Sequence, residues 1–248
     1  MSLQMYAVRG HHEAPFIASP LPDAVPGDSM VSVLLSDYFV NSVGFAYQDA
    51  DQLAGYVTDK VIPKEVPVRL NTKTFEEIFP PLYAKYPDRM MTVEWRVWKT
   101  AAKLLEGKLV EAVDVDVGFN IGEVTPTPPH RLRALTVKMN IVAEAQLRAE
   151  GAAIKGSVAL VSFGMQLKDS TIGPLDVEPA KPLFEMVAKQ MVIPKVNARL
   201  EKGFVLPAFG GISLRVSSLA VKPGYIVVSA DGCSGAKERG DGAAAVRL

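Results

Sequence analysis

Between Leu135 and Ala149 the chain alternates without losing phase. Leu135, Val137, Met139, Ile141, Ala143, Ala145, Leu147 and Ala149 are apolar, and the residues between them are polar except Val142. A period of two marks a half-covered strand, because successive side chains point to opposite faces. A run of this length spans about 50 Å, where an ordinary strand has about five or six residues. Glu150–Ala153 reads as a turn, and Ile154–Leu167 returns the chain with Val158, Leu160, Val161, Phe163, Met165 and Leu167 apolar. The phase slips at Leu160-Val161, which predicts a bulge or a change of covered face. Together the two runs predict a very long antiparallel hairpin whose apolar face must be covered along its whole length.

Two more stretches share the period. Met91, Val93, Trp95 and Val97 alternate with Thr92, Glu94 and Arg96, and Val113, Val115, Val117, Phe119 and Ile121 alternate with Asp114, Asp116, Gly118 and Asn120. Trp95 and Trp98 fall on opposite faces of their strand. Upstream, Met30–Leu35 reads as a strand that runs into a helix. Ser36 is placed to cap it, and Asp37 lies in the first turn, where the helix dipole favours a carboxylate. Phe39, Val43, Ala46, Ala50 and Leu53 form its apolar stripe, which predicts about twenty residues and about 30 Å of helix. Pro63 and Pro67 interrupt the next stretch, which ends in a short strand at Val68–Asn71. Thr72 or Thr74 can cap a short helix around Phe75–Phe79, closed by Pro80-Pro81.

After the hairpin, Pro182–Leu200 supplies a second helix, with Leu183, Phe184, Val187, Met191, Val192 and Val196 apolar, a kink at Pro194 and an exit at Gly203. Ile212–Leu219 and Tyr225–Ala230 close the chain as strands joined by Lys222-Pro223-Gly224. The order predicts an α+β fold in which a long, curled antiparallel sheet wraps two helices.

The chain has 248 residues, enough to bury a sizeable core without staples. Residues 1–29 are proline-rich and read as a flexible arm, residues 30–232 as the folded domain, and residues 233–248 as a disordered tail. No run is long and apolar enough for a membrane-spanning helix, and the first residues hold no apolar core of a signal peptide. Lys and Arg number 27 and Asp and Glu 27, which argues against a nucleic-acid partner held by bulk positive charge. The lone Cys233 excludes an intrachain disulfide.

The residues that could carry chemistry are few. His11-His12 sits in the arm, and His130 follows prolines with no partner nearby. Asp114 and Asp116 share a strand face and could form a carboxylate pair, but they stand opposite an apolar row, as a solvated face does. Glu76-Glu77 reads as helix surface. Cys233 has no recognisable base, and the glycines of LPAFGGI precede no helix that could hold a phosphate. No catalytic residue, metal site or cofactor is expected. What stands out instead is apolar wall: Met139, Met165, Met186 and Met191 are soft fillers, and Ala143, Ala145 and Ala149 leave room along one stretch.

Five segments carry a family resemblance: LSDYFVNSVGFAYQDADQL, VTDKVIPKEVPVRLNTKTF, KLVEAVDVDVGFNI, LKDSTIGPLDVEPAKPLFEMV and VIPKVNARLEKGFVLPAFGGISL. In order and spacing they resemble the C-terminal domain of the bactericidal/permeability-increasing, lipopolysaccharide-binding and plasma lipid transfer protein family. The resemblance implies a highly curved antiparallel sheet around a long and a kinked helix, the tubular lipid-binding (BPI-like) plan. It also implies an apolar pocket for phospholipid or another acyl lipid, contact with a membrane or lipoprotein surface, and an extracellular role linked to innate immunity.

By position, the implied pocket residues are Phe39, Val43 and Tyr47 on the first helix, and Phe184, Val187 and Met191 on the second. Phe119, Met139, Ala143, Leu147 and Phe163 join them from the sheet. The family's VNxxLxxGFxLP pattern appears as Val196, Asn197, Leu200, Gly203, Phe204, Leu206 and Pro207, and implies a structural end to the helix. The chain resembles only the second half of such proteins. The competing reading is an interaction module with a filled core, paired through its sheet edge with a missing N-terminal half or a second copy.

Overall fold

The computed structural model describes residues 12–23, 29–63, 68–122, 132–205 and 213–233. Residues 1–11 and 24–28 of the arm, Pro67, His130, the segment 206–212 with Leu206, Pro207 and its glycine pair, and the tail beyond Cys233 lie outside the described residues.

Strand β1 (Val31–Ser36) leads into α1 (Asp37–Asp49). The Ser36 hydroxyl accepts the Phe39 N–H at 3.3 Å, so the cap is where the sequence puts it. The helix has 13 residues rather than about twenty. It ends because Asp51 turns left-handed, at φ 54°, and sends the chain into β2 (Ala54–Thr58). Val68–Asn71 makes no strand beyond a single bridge from Asn71 to Met90. Pro80-Pro81 opens a helix, α2 (Pro80–Lys85), instead of closing one. A proline has no N–H to lose in the first turn, so it fits there.

Four long strands follow: β3 (Met91–Leu105), β4 (Lys108–Ile121), β5 (Leu132–Glu150) and β6 (Ala153–Ser170). The predicted hairpin is therefore present, with strands of 19 and 18 residues. The phase slip is a bulge, since Val142 faces Ser162 and Ala143 faces Leu160, leaving Val161 unpaired. Next comes a continuous helical run from α3 (Lys181–Val187) through a π turn (Ala188–Val192) into α4 (Ile193–Lys202), with Pro194 in the first turn of α4. This run is the long, kinked helix. Gly203, at φ 74°, ends it, and β7 (Phe204–Val205), β8 (Ser213–Lys222) and β9 (Tyr225–Cys233) complete the described chain.

The strands form two antiparallel sheets, one of six strands in the order β2-β3-β4-β5-β6-β7 and one of three in the order β1-β9-β8. Neither sheet is closed or strongly curled. This corrects the expectation of a highly curved sheet wrapped around the helices. The long apolar face is covered by pieces laid on it, so it has no need to wrap. The segment Val68–Lys85 fills the middle, where Phe75, Phe79 and Leu82 are fully buried. The Phe119 ring of β4 meets Phe75 at 5.9 Å, Phe79 at 6.2 Å and Phe184 at 5.8 Å, all edge to face. A second core, of Leu104, Val216, Val221, Ile226 and Val228, joins the three-stranded sheet to the turn end of β3 and β4.

Candidate functional site

The two helices sit at opposite edges of the six-stranded sheet, and each is tied there by one asparagine. β2 pairs with β3 only from Thr92 to Arg96, so beyond that point the edge of β3 is open to other partners. On α1, Asn41 Oδ1 accepts the Ala102 N–H at 2.8 Å, and Asn41 Nδ2 donates to the Ala102 carbonyl at 3.0 Å. β7 pairs with β6 only at Ala153 and Ile154. On α4, Asn197 Oδ1 accepts the Val158 N–H at 2.6 Å, and its Nδ2 donates to the Val158 carbonyl at 3.1 Å. A side-chain amide has one donor group and one acceptor, so each asparagine satisfies one edge residue as a neighbouring strand would. Asn197 thus anchors the helix as well as belonging to the motif that ends it. Close packing reinforces α1. A Cβ on Gly44 would collide with Thr100 Oγ1, so only glycine lets the helix lie this near β3.

The eleven residues assigned by position fall into three groups. Phe119, Met139 and Phe163 are buried in the main core, and Phe184 packs half-buried against it. Leu147 packs against the second core, and Ala143 is half-buried on β5. Phe39 and Val43 on α1, Val187 on α3 and Met191 in the π turn are half-buried, and Tyr47 is 44% exposed.

Registry adds one residue that the sequence reading passed over. Across the sheet, Val115 faces Met139, Val113 faces Ile141 and Glu111 faces Ala143. Glu111 therefore belongs to the same row as the apolar wall. Its other neighbour is Ala102, the residue held by Asn41. Among the described residues no cation pairs with it. Burial pushes its carboxyl up from 4.5 to about 7, against a smaller opposing effect of a hydrogen bond with the Ala101 backbone. Extending the alternation of β4 back one step past Val113 would have found it.

The opposite face of the sheet is ionic. A cavity of about 360 Å³ there is lined by Glu94, Arg96, Trp98, Asp116, Arg133 and Lys168, among others. Two ion pairs form within it, Arg133 with Glu94 and Lys168 with Asp116, while Arg96 pairs with Asp51 at 2.6 Å. Arg133 also bonds Asn120 Oδ1 at 2.8 Å. Its guanidinium occupies the place of the missing Gly118 Cβ. Asp116 accepts from Lys168 and from the Trp98 indole, and Lys168 lies 5.2 Å from the Trp98 ring centre. Asp114 is held by Lys138 at 3.3 Å and Asn140 at 2.6 Å. The two aspartates serve this outer face, each with its own cation. Trp95 packs toward the main core and Trp98 is 54% exposed on the ionic face.

Elsewhere, His12 Nδ1 lies 2.9 Å from Asp49. Among the described residues no group of three or more His, Cys, Asp or Glu could hold a metal, and no helix is long and apolar enough to cross a membrane.

Residues 5–232 match the family described as the LBP / BPI / CETP family, C-terminal domain. The chain is 29% identical over 232 residues to the bactericidal permeability-increasing protein of Sebastes schlegelii, covering 92% of this chain and 48% of that protein. It is 29% identical over 208 residues to a BPI/LBP family protein of Arabidopsis thaliana, covering 83% and 41%. In structure it resembles the crystal structure of lipopolysaccharide binding protein with a TM-score of 0.63 and 25% identity, over 90% of this chain and 48% of that one. The chain thus spans about half the length of the relatives it matches. Matched across nearly its whole length in sequence, the chain belongs to the LBP / BPI / CETP family, as a copy of its C-terminal domain.

Proposed function

We propose that this domain holds an acyl lipid without covalent chemistry, on the apolar face of the six-stranded sheet between α1 and the α3–α4 helix. The observation that carries the reading is the pair of asparagine ties. They set the two helices over β3 and β6, with β4 and β5 between them. Half-buried Phe39, Val43, Val187 and Met191 would face the chains, and Ala143 would leave room beneath them. Membership of a family that includes a lipopolysaccharide-binding protein supports the same reading. Phospholipid is the lipid we favour, and the extracellular space the setting.

Burial of chains gives about 0.8 kcal/mol per methylene, but a lipid leaving a bilayer recovers almost none of it. The domain therefore matches the membrane rather than outbidding it, and its part is shielding and transfer. The test is uptake of a fluorescent phospholipid by the parent chain, by Val187→Asp and by the double variant Val187→Asp/Leu147→Asp. Parent uptake that both variants lose while keeping their secondary structure is the expected result. Full uptake by a folded double variant overturns the assignment.

One observation favours a second reading. Phe119, Met139 and Phe163 are already enclosed by protein side chains, as in a filled core. On that reading the domain pairs through a sheet edge with a partner half or a second copy, and it elutes at twice its mass with no lipid to extract.

A further inference from the structure

The outward side of α4 carries Lys195, Arg199 and Lys202, all exposed, and none of them forms an ion pair among the described residues. At about 100° per residue the three fall within about 60° of one another. The acid of the same helix, Glu201, is turned the other way and is held by Arg148 at 2.5 Å and Lys155 at 3.6 Å. The outward face is therefore cationic, with no acid of the same helix to offset it. Beside the cations stand Val196, 37% exposed, and Val192 of the π turn, 52% exposed. Beyond the Gly203 exit, Phe204 of β7 is 65% exposed.

Helix electrostatics explains part of this. Arg199 and Lys202 lie in the last turn, where they complement the carbonyl end. Lys195 lies about two turns before the end of the continuous run from Lys181 to Lys202, outside the last turn where that end is felt. Nor does solvation account for Val192 and Val196, left in water beside the cations. A cationic stripe beside an exposed apolar stripe is the arrangement that lies flat in a lipid interface, with cations at anionic headgroups and apolar side chains below them.

We propose that this face of α4 docks the domain on an anionic lipid leaflet. The inference rests on the carrier reading and supplies it with the surface at which lipid enters or leaves. Lys195, Arg199 and Lys202 meet headgroup phosphates, while Val192 and Val196 enter the acyl boundary. The helix lies along the leaflet, and its inward face stays tied to β6 through Asn197.

The test is flotation of the purified chain with vesicles of phosphatidylcholine alone and of phosphatidylcholine mixed with phosphatidylglycerol, at low and high salt. The parent is expected to bind the mixed vesicles, to ignore the neutral ones, and to release as salt rises. The variant Lys195→Gln/Arg199→Gln/Lys202→Gln changes only exposed residues and is expected to bind the mixed vesicles on the order of 100-fold more weakly. Val192→Ser/Val196→Ser is expected to weaken binding with little change in its salt dependence. A parent that binds both vesicles alike, or a triple variant that binds as the parent does, overturns the proposal. Lipid extracted from the same preparations is measured in parallel. A parent that docks but carries no lipid overturns the carrier reading while leaving the docking surface standing.

Discussion

The two edges of the six-stranded sheet receive their helices by the same device and with different firmness. At the β3 edge, α1 is held along its length. Asn41 ties it to Ala102, Gln48 Nε2 donates to the Trp98 carbonyl at 2.6 Å, and Gly44 lets it close on Thr100. The described part of the arm lies across its other side, with Phe16 6.3 Å from Phe45 and the Ser19 hydroxyl donating to Asp37 at 2.6 Å. At the β6 edge, α4 has the Asn197 tie, an ordinary contact of Leu200 over Gly156 and the exposed Glu201 pairs to Arg148 and Lys155, while its outer face stays in water. Above that tie the helix loosens into a π turn followed by Pro194. We read one wall as fixed and the other, with its π turn and Pro194, as hinged.

The comparison is broken most directly at Asn41. Asn41→Leu leaves the N–H and carbonyl of Ala102 without partners beneath a packed helix, and each such group costs about 1–3 kcal/mol. A loss of about 4 kcal/mol in urea unfolding is expected. A loss under about 1 kcal/mol would mean that α1 is not anchored there.

Glu111, next to Ala102, makes the same wall sensitive to pH. Its carboxyl titrates at about 7 in the folded chain and at an ordinary 4.5 when exposed. Between those values the folded state keeps a proton that the unfolded chain has released. Stability is therefore fully favoured below 4.5 and falls as the pH rises through about 7. Glu111→Gln is expected to flatten that slope and to stabilise the chain by about 2–3 kcal/mol at pH values above the titration. Parallel stability–pH curves for parent and variant would contradict the burial of this group.

Asn197→Leu is expected to cost about 2 kcal/mol, because water can reach the freed edge of β6 beside an exposed helix. Equal losses at Asn41 and Asn197 would erase the distinction between a fixed and a hinged wall. Arg148→Ala, which removes the exposed partner of Glu201, is expected to leave the melting temperature unchanged, and a clear drop would give the β6 edge more firmness than we assign to it.

Much of this frame was legible in the residues. The alternation over Leu135–Ala149 and its return announced the hairpin, and the slip at Leu160-Val161 marked the bulge. Ser36 announced the cap and Gly203 the exit from the second helix. What escaped depends on partners distant in sequence. β1 pairs with β9, with Val31 opposite Ala230, and no local pattern announces that three strands leave to form a second sheet. Alternation says which face is covered but not how far the sheet bends; the strong curl came from the family resemblance and is not there. The end of α1 turned on the backbone of Asp51, and Pro80-Pro81 is as fit to open a helix as to close one.

At the site, Phe39, Val43, Val187 and Met191 were assigned by position from the family resemblance, which says nothing of what each side chain packs against. It could not separate them from Phe119, whose ring three other phenylalanines surround. The asparagine ties had no signal beyond the residue itself, because what matters is the free edge each one meets.

Denaturing organic extraction of the purified chain, followed by mass spectrometry of what is released, reads out the acyl lipid proposed between the two helices. Acyl lipid at a reproducible stoichiometry per chain, lost in Val187→Asp, is the expected result. A folded parent that releases no lipid, alone or after incubation with phospholipid vesicles, would contradict it.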